Sequence, residues 1–142
     1  MAQSARLILV EKIEQNLQKI NSTNDYNLDY DEIKYADAVP TEYDLSGLYW
    51  RDGRGEGEFT RLGDSQLWIE VDAVLTEAHD NPAHKLGTLA IEDLERCFKS
   101  IGVCGAVSVK WKSDKWVEIK GRAVCRVYYA VLVKYKNKIW YG

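Results

Sequence analysis

The stretch from Arg122 to Tyr135 alternates between an apolar row and a mixed row with a period of two. Successive side chains of a β-strand point to opposite faces of a sheet. The even-numbered positions are polar at both ends and apolar in the middle. The odd-numbered positions form an unbroken apolar row, which comprises Ala123, Cys125, Val127, Tyr129, Val131, Val133 and Tyr135. The pattern predicts a long central strand that is buried along the whole of one face.

Two segments carry apolar residues at the three- and four-residue spacing of an amphipathic helix. The first runs from Ala5 to Ile20, and the second runs from Ala83 to Phe98 behind the start signal Asn81-Pro82. The expected stripe of the first helix is Val10, Ile13, Leu17 and Ile20, widened by Leu7 and Leu9. The expected stripe of the second is Leu86, Ala90, Leu94, Cys97, Phe98 and Ile101, with Gly102 at the helix end.

Shorter alternating segments predict the remaining strands. Leu67 to Thr76 is expected to have one buried and one mostly solvated face. The other expected strands lie near Glu32–Ala36, at Gly47–Trp50 and at Val103–Trp111, and Ser113-Asp114-Lys115 is expected to form the turn of a hairpin. Residues 1–142 are therefore expected to form one α+β domain, in which two helices pack on a mainly antiparallel sheet.

Two segments are expected to be exposed. Arg51 to Arg61 holds three glycines and six charged residues, which is typical of a mobile loop, extending to about residue 64. Residues 134–142 form a basic tail whose last part, Lys138-Ile139-Trp140-Tyr141, is too apolar for a free terminus. Both segments are candidates for contact with a partner.

The composition is that of an ordinary globular protein, with 46% hydrophobic and 29% charged residues in 142. No apolar run approaches the roughly 18 residues of a membrane span. The first apolar block is too short for a signal peptide, so we expect a cytosolic chain. Cys97, Cys104 and Cys125 lie in apolar surroundings, which favours reduced, buried thiols.

The net charge of −3 conceals a separation along the chain. Residues 1–100 hold 10 Lys/Arg and 20 Asp/Glu, whereas residues 101–142 hold 9 and 2. A protein with one acidic and one basic surface can associate head to tail with copies of itself, and a basic surface can also bind nucleic acid.

Candidate chemistry is sparse. His79 and His84 flank the start of the second helix, and neither they nor the cysteines show the spacing of a zinc site. Glu70 and Asp72 share one strand face, which leaves acid–base catalysis by paired carboxylates open. The glycines between Arg51 and Arg61 lack the helix start and Gly-Lys-Ser/Thr ending of a phosphate loop. The sequence therefore predicts no catalytic residue, cofactor or metal.

The basic residues after position 109 are interleaved with aromatic ones, as in Lys110-Trp111-Lys112 and Lys115-Trp116. This mixture suits single-stranded nucleic acid, which binds by charge and stacking. Trp111 and Tyr135 are expected on buried strand faces, however, where no base can reach them.

The order and texture of these elements resemble the tail terminator, or tail completion, proteins of tailed bacteriophages. The resemblance is carried by the helix Ala5–Ile20, the strand Leu67–Val71, the helix Ala83–Phe98 with its Gly87–Leu94 centre, and the closing pair that ends in Val124–Tyr135. It implies an α+β subunit that forms a ring, usually a hexamer, at the head-proximal end of the tail tube, within the tail and neck of the virion.

In that family the ring stops tube polymerisation and joins the tail to neck or connector proteins. The implied partners are further copies of the chain, the tail tube, the neck and, in a contractile tail, the sheath. DNA only passes through the lumen, and no membrane is involved. The residues expected at the ring or partner interface are Arg51, Arg54, Arg61, Arg126, Lys134, Lys136, Lys138, Trp140 and Tyr141. Two alternatives stay open, a small hydrolase or isomerase that uses Glu70, Asp72 or His79 and a nucleic-acid-binding module.

Overall fold

A computed structural model describes residues 5–36, 46–52, 64–76, 83–99, 101, 107–119 and 122–136. Its helices are α1 (Ala5–Leu17) and α2 (Ala83–Lys99), with a short 3₁₀ turn at Ser22–Asn24. Its strands are β1 (Glu32–Tyr35), β2 (Gly47–Asp52), β3 (Asp64–Thr76), β4 (Val107–Ile119) and β5 (Arg122–Lys136). The α+β class expected from the sequence is confirmed. None of the helices in these ranges is long and apolar enough to cross a membrane.

The described strands form one sheet in the order β1-β2-β3-β5-β4. Only β1 and β2 run parallel, while the other neighbouring pairs are antiparallel. β3 pairs with β5 along the full length of β3, from Asp64 opposite Lys136 to Thr76 opposite Val124. The predicted strand Arg122–Tyr135 is confirmed, and it lies inside the sheet next to the edge strand β4.

The odd-numbered face of β5 is the centre of the core, as its pattern predicts. Its residues from Cys125 to Tyr135 are buried and join Ile69, Val71 and Leu75 of β3 in one cluster. Both helices pack on this side, which we call the helix face, and we call the opposite side the outer face. The second face of β3 was predicted to be mostly solvated, and that prediction is wrong because Asp72, Val74 and Thr76 are buried there.

The stripe predicted for α2 is confirmed, since all of its residues are buried. The aromatic ring of Phe98 stacks on that of Tyr129 with centroids 5.8 Å apart. Helix α2 also lies close to β4, because Gly87 carries no side chain. A Cβ at this position would come within 2.8 Å of the Asp114 Cβ.

Helix α1 departs from its prediction in three respects, since it ends at Leu17 rather than at Ile20, Val10 is only half-buried, and Leu7 lies outside the buried stripe. Leu9, Ile13, Leu17 and the following Ile20 are buried, but Leu7 is exposed and does not widen the stripe. Leu9 lies four residues before Ile13 and therefore faces the core. Leu7 is two residues from Leu9, about 200° around the helix, and therefore points away from it.

The segment after α1 is fastened to α2 by one buried carboxylate. The backbone N–H groups of Asn27 and Leu28 donate to the two oxygens of Asp93 at 2.8 and 3.0 Å. Burial raises the pKa of Asp93, although the hydrogen bonds from Asn27 and Leu28 act in the opposite direction. This contact sets where the chain leaves the helical layer and enters β1.

Two further predictions are corrected by the sheet. Residues 113–115 form no turn, because β4 runs on through them to Ile119. Arg51 and Asp52 belong to β2 rather than to the predicted loop, and Asp64 already belongs to β3. The rest of that loop, with Asn81, Pro82, Gly102 and the C-terminal tail after Lys136, lies outside the described residues.

The stacked pair in the core gives a prediction about stability. Phe98→Ala removes a ring that is 1% exposed, and we expect the free energy of unfolding to fall by about 3–5 kcal/mol. Urea unfolding followed by tryptophan fluorescence measures it. Lys99→Ala, on the exposed side of the same helix turn, is the matched control and should cost less than about 0.5 kcal/mol. A Phe98→Ala loss below about 1 kcal/mol would contradict the assigned packing.

Candidate functional site

The edge strand β4 exposes large apolar side chains on both of its faces. Val109, Trp111 and Trp116 are 41%, 60% and 40% exposed. Val109 and Trp116 lie opposite Val131 and Cys125 and therefore belong to the helix face. Trp111 lies opposite Ala130 and belongs to the outer face.

A β-bulge produces this arrangement. The register of β4 shifts between Val109 and Trp111, so that Lys110 is an extra residue in the strand. An extra residue moves every later side chain to the other face of the sheet. The prediction that Trp111 lies on a buried face is therefore wrong, whereas the burial predicted for Tyr135 is confirmed.

The two edges of the sheet differ in protection. Alternate main-chain groups of β4 point away from β5, and no strand in the described part of the chain pairs with them. The other edge strand, β1, has only four residues, and the Gln18 side chain of the α1 end donates to the Ile33 carbonyl at 2.6 Å. Short, covered edges resist association, whereas long open ones favour it. In the part of the sheet that the structure describes, β4 is the open edge.

A second exposed apolar surface lies across the sheet, where β1 and β2 end. Asp52 accepts hydrogen bonds from Arg6 at 2.9 Å and from the Tyr35 hydroxyl at 2.5 Å. Burial raises the pKa of Asp52, but these two hydrogen bonds, a backbone hydrogen bond and the charge of Arg6 together hold the pKa below its usual range. The contact joins the first turn of α1, with Leu7 and Ile8, to Tyr35. These three exposed side chains define what we call the α1/β1 corner.

A charged cluster lies between β2, β3 and β5 on the outer face. Arg51 Nε is 3.2 Å from Glu70 Oε2. Arg51 Nη1 is 2.8 Å from Asp72 Oδ2, and this second contact is an ion pair without the directionality of a hydrogen bond. The Tyr128 hydroxyl donates to Glu70 Oε1 at 2.5 Å. Burial raises the pKa of Tyr128, and with the Glu70 hydrogen bond it brings the pKa to about 12.

The two carboxylates of the cluster keep the Arg51 guanidinium charged. Burial lowers the pKa of Arg51, but Asp72 and Glu70 outweigh burial and raise it, so the guanidinium stays charged between the two carboxylates. The predicted pair Glu70 and Asp72 is brought together, yet each carboxylate is engaged by Arg51. His79, the third residue of the enzyme alternative, lies outside the described residues.

Those predicted interface residues that lie in the described ranges do not converge on one site. Arg51 belongs to the charged cluster, Arg126 lies between Val74 and Lys115, and Lys134 lies opposite Gln66. Arg126 and Lys134 are half-buried, and Lys136 ends β5. The remaining predicted residues, Arg54, Arg61, Lys138, Trp140 and Tyr141, lie outside the described ranges.

Sequence reasoning missed the exposed apolar residues. One signal was available at α1, because Leu7 and Ile8 fall outside the spacing set by Leu9 and Ile13. No such signal exists for Trp111, since a bulge at Lys110 has no marker in the sequence.

The cysteines in the described ranges are packing residues, as predicted. Cys97 and Cys125 are buried and free. Burial raises the pKa of Cys97 to about 12 and that of Cys125 to about 11. Within the described ranges, no group of three or more His, Cys, Asp or Glu residues is placed to hold a metal ion.

Comparison with known proteins adds no assignment. No protein-family model matches the chain, and no curated protein matches it.

The charged cluster gives a prediction that separates buried from exposed ion pairs. Arg51→Met leaves Glu70 and Asp72 without their counter-charge, and we expect the free energy of unfolding to fall by about 3 kcal/mol. Arg6→Met removes the exposed pair with Asp52 and should cost less than about 1 kcal/mol. Chemical denaturation measures both variants. Equal losses in the two would show that the cluster is no better shielded than the surface.

The buried thiols give a prediction about reactivity. Since the thiolate is the nucleophile, Cys97 and Cys125 should resist iodoacetamide at pH 8 in the native protein and react in urea. Peptide mapping by mass spectrometry reads each position. Rapid native labelling of Cys125 would contradict the burial of the β5 helix face.

Proposed function

We propose that this chain is a structural subunit that assembles with copies of itself through the edge strand β4. The observation that carries the proposal is an open edge of 13 residues with Val109, Trp111 and Trp116 exposed along it. Exposed apolar surface favours association because its burial removes it from water, and the outward main-chain groups of the edge favour it because a partner can hydrogen-bond them. Two of these three residues are tryptophans, and tryptophan is among the residue types most enriched at interface hot spots.

We further propose that the assembly is the ring of a phage tail terminator at the head-proximal end of the tail tube. Support comes from the resemblance in element order, from the α+β fold and from the charge separation along the chain. In this role the ring ends tube polymerisation and provides the surface to which the neck proteins attach. The chain then acts through its surfaces, and the buried cluster around Arg51 maintains the sheet.

A nucleic-acid-binding module is the second candidate, because Trp111 and Trp116 are exposed near Lys112 and Lys115. Consecutive bases need a stacking platform on one face. The two indoles lie on opposite faces of β4, and Lys112 is 3.1 Å from Glu95 in an ion pair. The geometry therefore favours a protein partner that meets β4 edge-on.

Assembly is tested on the purified chain by light scattering and negative-stain microscopy. We expect closed rings for the natural sequence and particles of the 16.3 kDa monomer for Trp111→Glu/Trp116→Glu. The charges introduced at the edge oppose burial. Thr88→Glu, on the exposed side of α2, is the control and should leave the rings intact.

A natural sequence that is monomeric at all concentrations would overturn the proposal. Quenching of tryptophan fluorescence by a single-stranded oligonucleotide, lost on Trp111→Glu, would instead support the nucleic-acid module. The phage role is tested by deleting the gene from the genome that encodes it. Tails of irregular length that do not join heads are expected, and normal tails would contradict the assignment.

A further inference from the structure

The exposed large apolar side chains of the described residues fall into two separate groups. One group, Val109, Trp111 and Trp116, lies on β4. The other is the α1/β1 corner, at 44%, 50% and 47% exposure for Leu7, Ile8 and Tyr35. The groups lie at opposite ends of the strand order. Four strand spacings of about 4.8 Å separate β1 from β4 by roughly 19 Å, so β4 cannot cover the corner of its own chain.

We propose that the α1/β1 corner is the surface that receives β4 of the next copy. This inference rests on the proposed self-assembly and names the second half of its contact. A ring needs two different, complementary surfaces on each subunit. The two apolar groups are such a pair.

The corner is preformed. Tyr35 is held from two sides, since its ring packs edge-on against Trp50 at 5.0 Å and its hydroxyl donates to Asp52. Asp52 in turn holds Arg6, next to Leu7 and Ile8. A surface with fixed side chains loses little conformational entropy when it binds, which favours affinity.

The charges of the two ends are complementary. Residues 5–36, from α1 to β1, hold four Lys/Arg and six Asp/Glu, while the edge strand β4 holds three Lys and two acidic residues, Asp114 and Glu118. On α1, the exposed Glu11 and Glu14 follow Leu7 and Ile8 along the helix. On β4, Lys115 is exposed near Trp116. Opposite charges around an apolar contact favour this pairing and disfavour the approach of two β4 edges.

The geometry of the contact determines the kind of assembly. Pairing of β4 with β4 of a second copy would be isologous, would end at a dimer and would leave both corners exposed. Pairing of β4 with the corner uses one surface from each copy and leaves one of each free at the ends. It therefore propagates, and it gives a closed ring where the rotation from copy to copy closes and an open filament where it does not.

A mixing experiment tests the inference. The corner variant is Leu7→Glu/Ile8→Glu, in which acidic residues in the first turn suit the helix dipole. The edge variant is Trp111→Glu/Trp116→Glu. Each variant alone should be monomeric by light scattering, because each has lost one of the two surfaces. An equimolar mixture should form a 1:1 dimer and nothing larger, because one intact edge then meets one intact corner.

Other outcomes overturn the inference separately from the proposed function. A corner variant that still forms full rings, or that forms dimers alone, would remove the corner from the interface and leave self-assembly through β4 standing. A monomeric natural sequence would remove the proposed function itself. Circular dichroism and the unfolding midpoint establish that each variant is folded.

Disulfide trapping tests the contact without charged substitutions. In a Cys104→Ser background, Ile8→Cys with Trp116→Cys should give a ladder of covalent multimers under mild oxidation. Thr88→Cys with Trp116→Cys is the matched control and should give none. Dimers without a ladder for the Ile8→Cys pair would indicate β4-to-β4 pairing and overturn the inference.

Discussion

The antiparallel pairing of β3 with β5 is the contact on which the rest of the structure depends. The two strands match from Asp64–Lys136 to Thr76–Val124, and this register fixes both faces of the sheet at once. On one face it aligns the apolar rows that α1 and α2 cover. On the other it places Glu70 and Asp72 beside Tyr128 and within reach of Arg51. A slip by one residue would exchange the two faces, exposing the core row and burying the charges.

The two edge strands of the described sheet, β1 and β4, differ in how far other parts of the chain cover them. At β1 the helical layer reaches the edge, through Gln18 and the Ile33 carbonyl. At β4 the helix α2 comes close enough for Gly87 to meet Asp114, yet the edge itself stays uncovered in the described structure. Exposed tryptophan on such an edge favours association. That asymmetry, rather than any reactive group, underlies the proposed function.

The effect of each ion pair on the structure depends on how far it is shielded from water. Arg51 between Glu70 and Asp72 is shielded from water, so its contribution is to keep two carboxylates inside the outer face without an uncompensated charge. Arg6 and Asp52 are more exposed, and their pair is weak as a source of stability. The pair of Arg6 and Asp52 instead holds Tyr35 beside the start of α1, and it thereby shapes one proposed contact surface.

The sequence by itself determined the β5 strand, the α2 stripe and the α+β class, because a period of two or of three to four reports directly which side of an element is dry. It also determined the separation of charge. Only the tertiary structure decided that β4 runs through residues 113–115 and that Trp111 reaches the outer face. Periodicity records the alternation along one element, whereas a bulge at Lys110 or an edge without a neighbour depends on how the elements meet. The sequence likewise placed Glu70 and Asp72 on one face, but the pairing of β2 with β3 brought Arg51 between them.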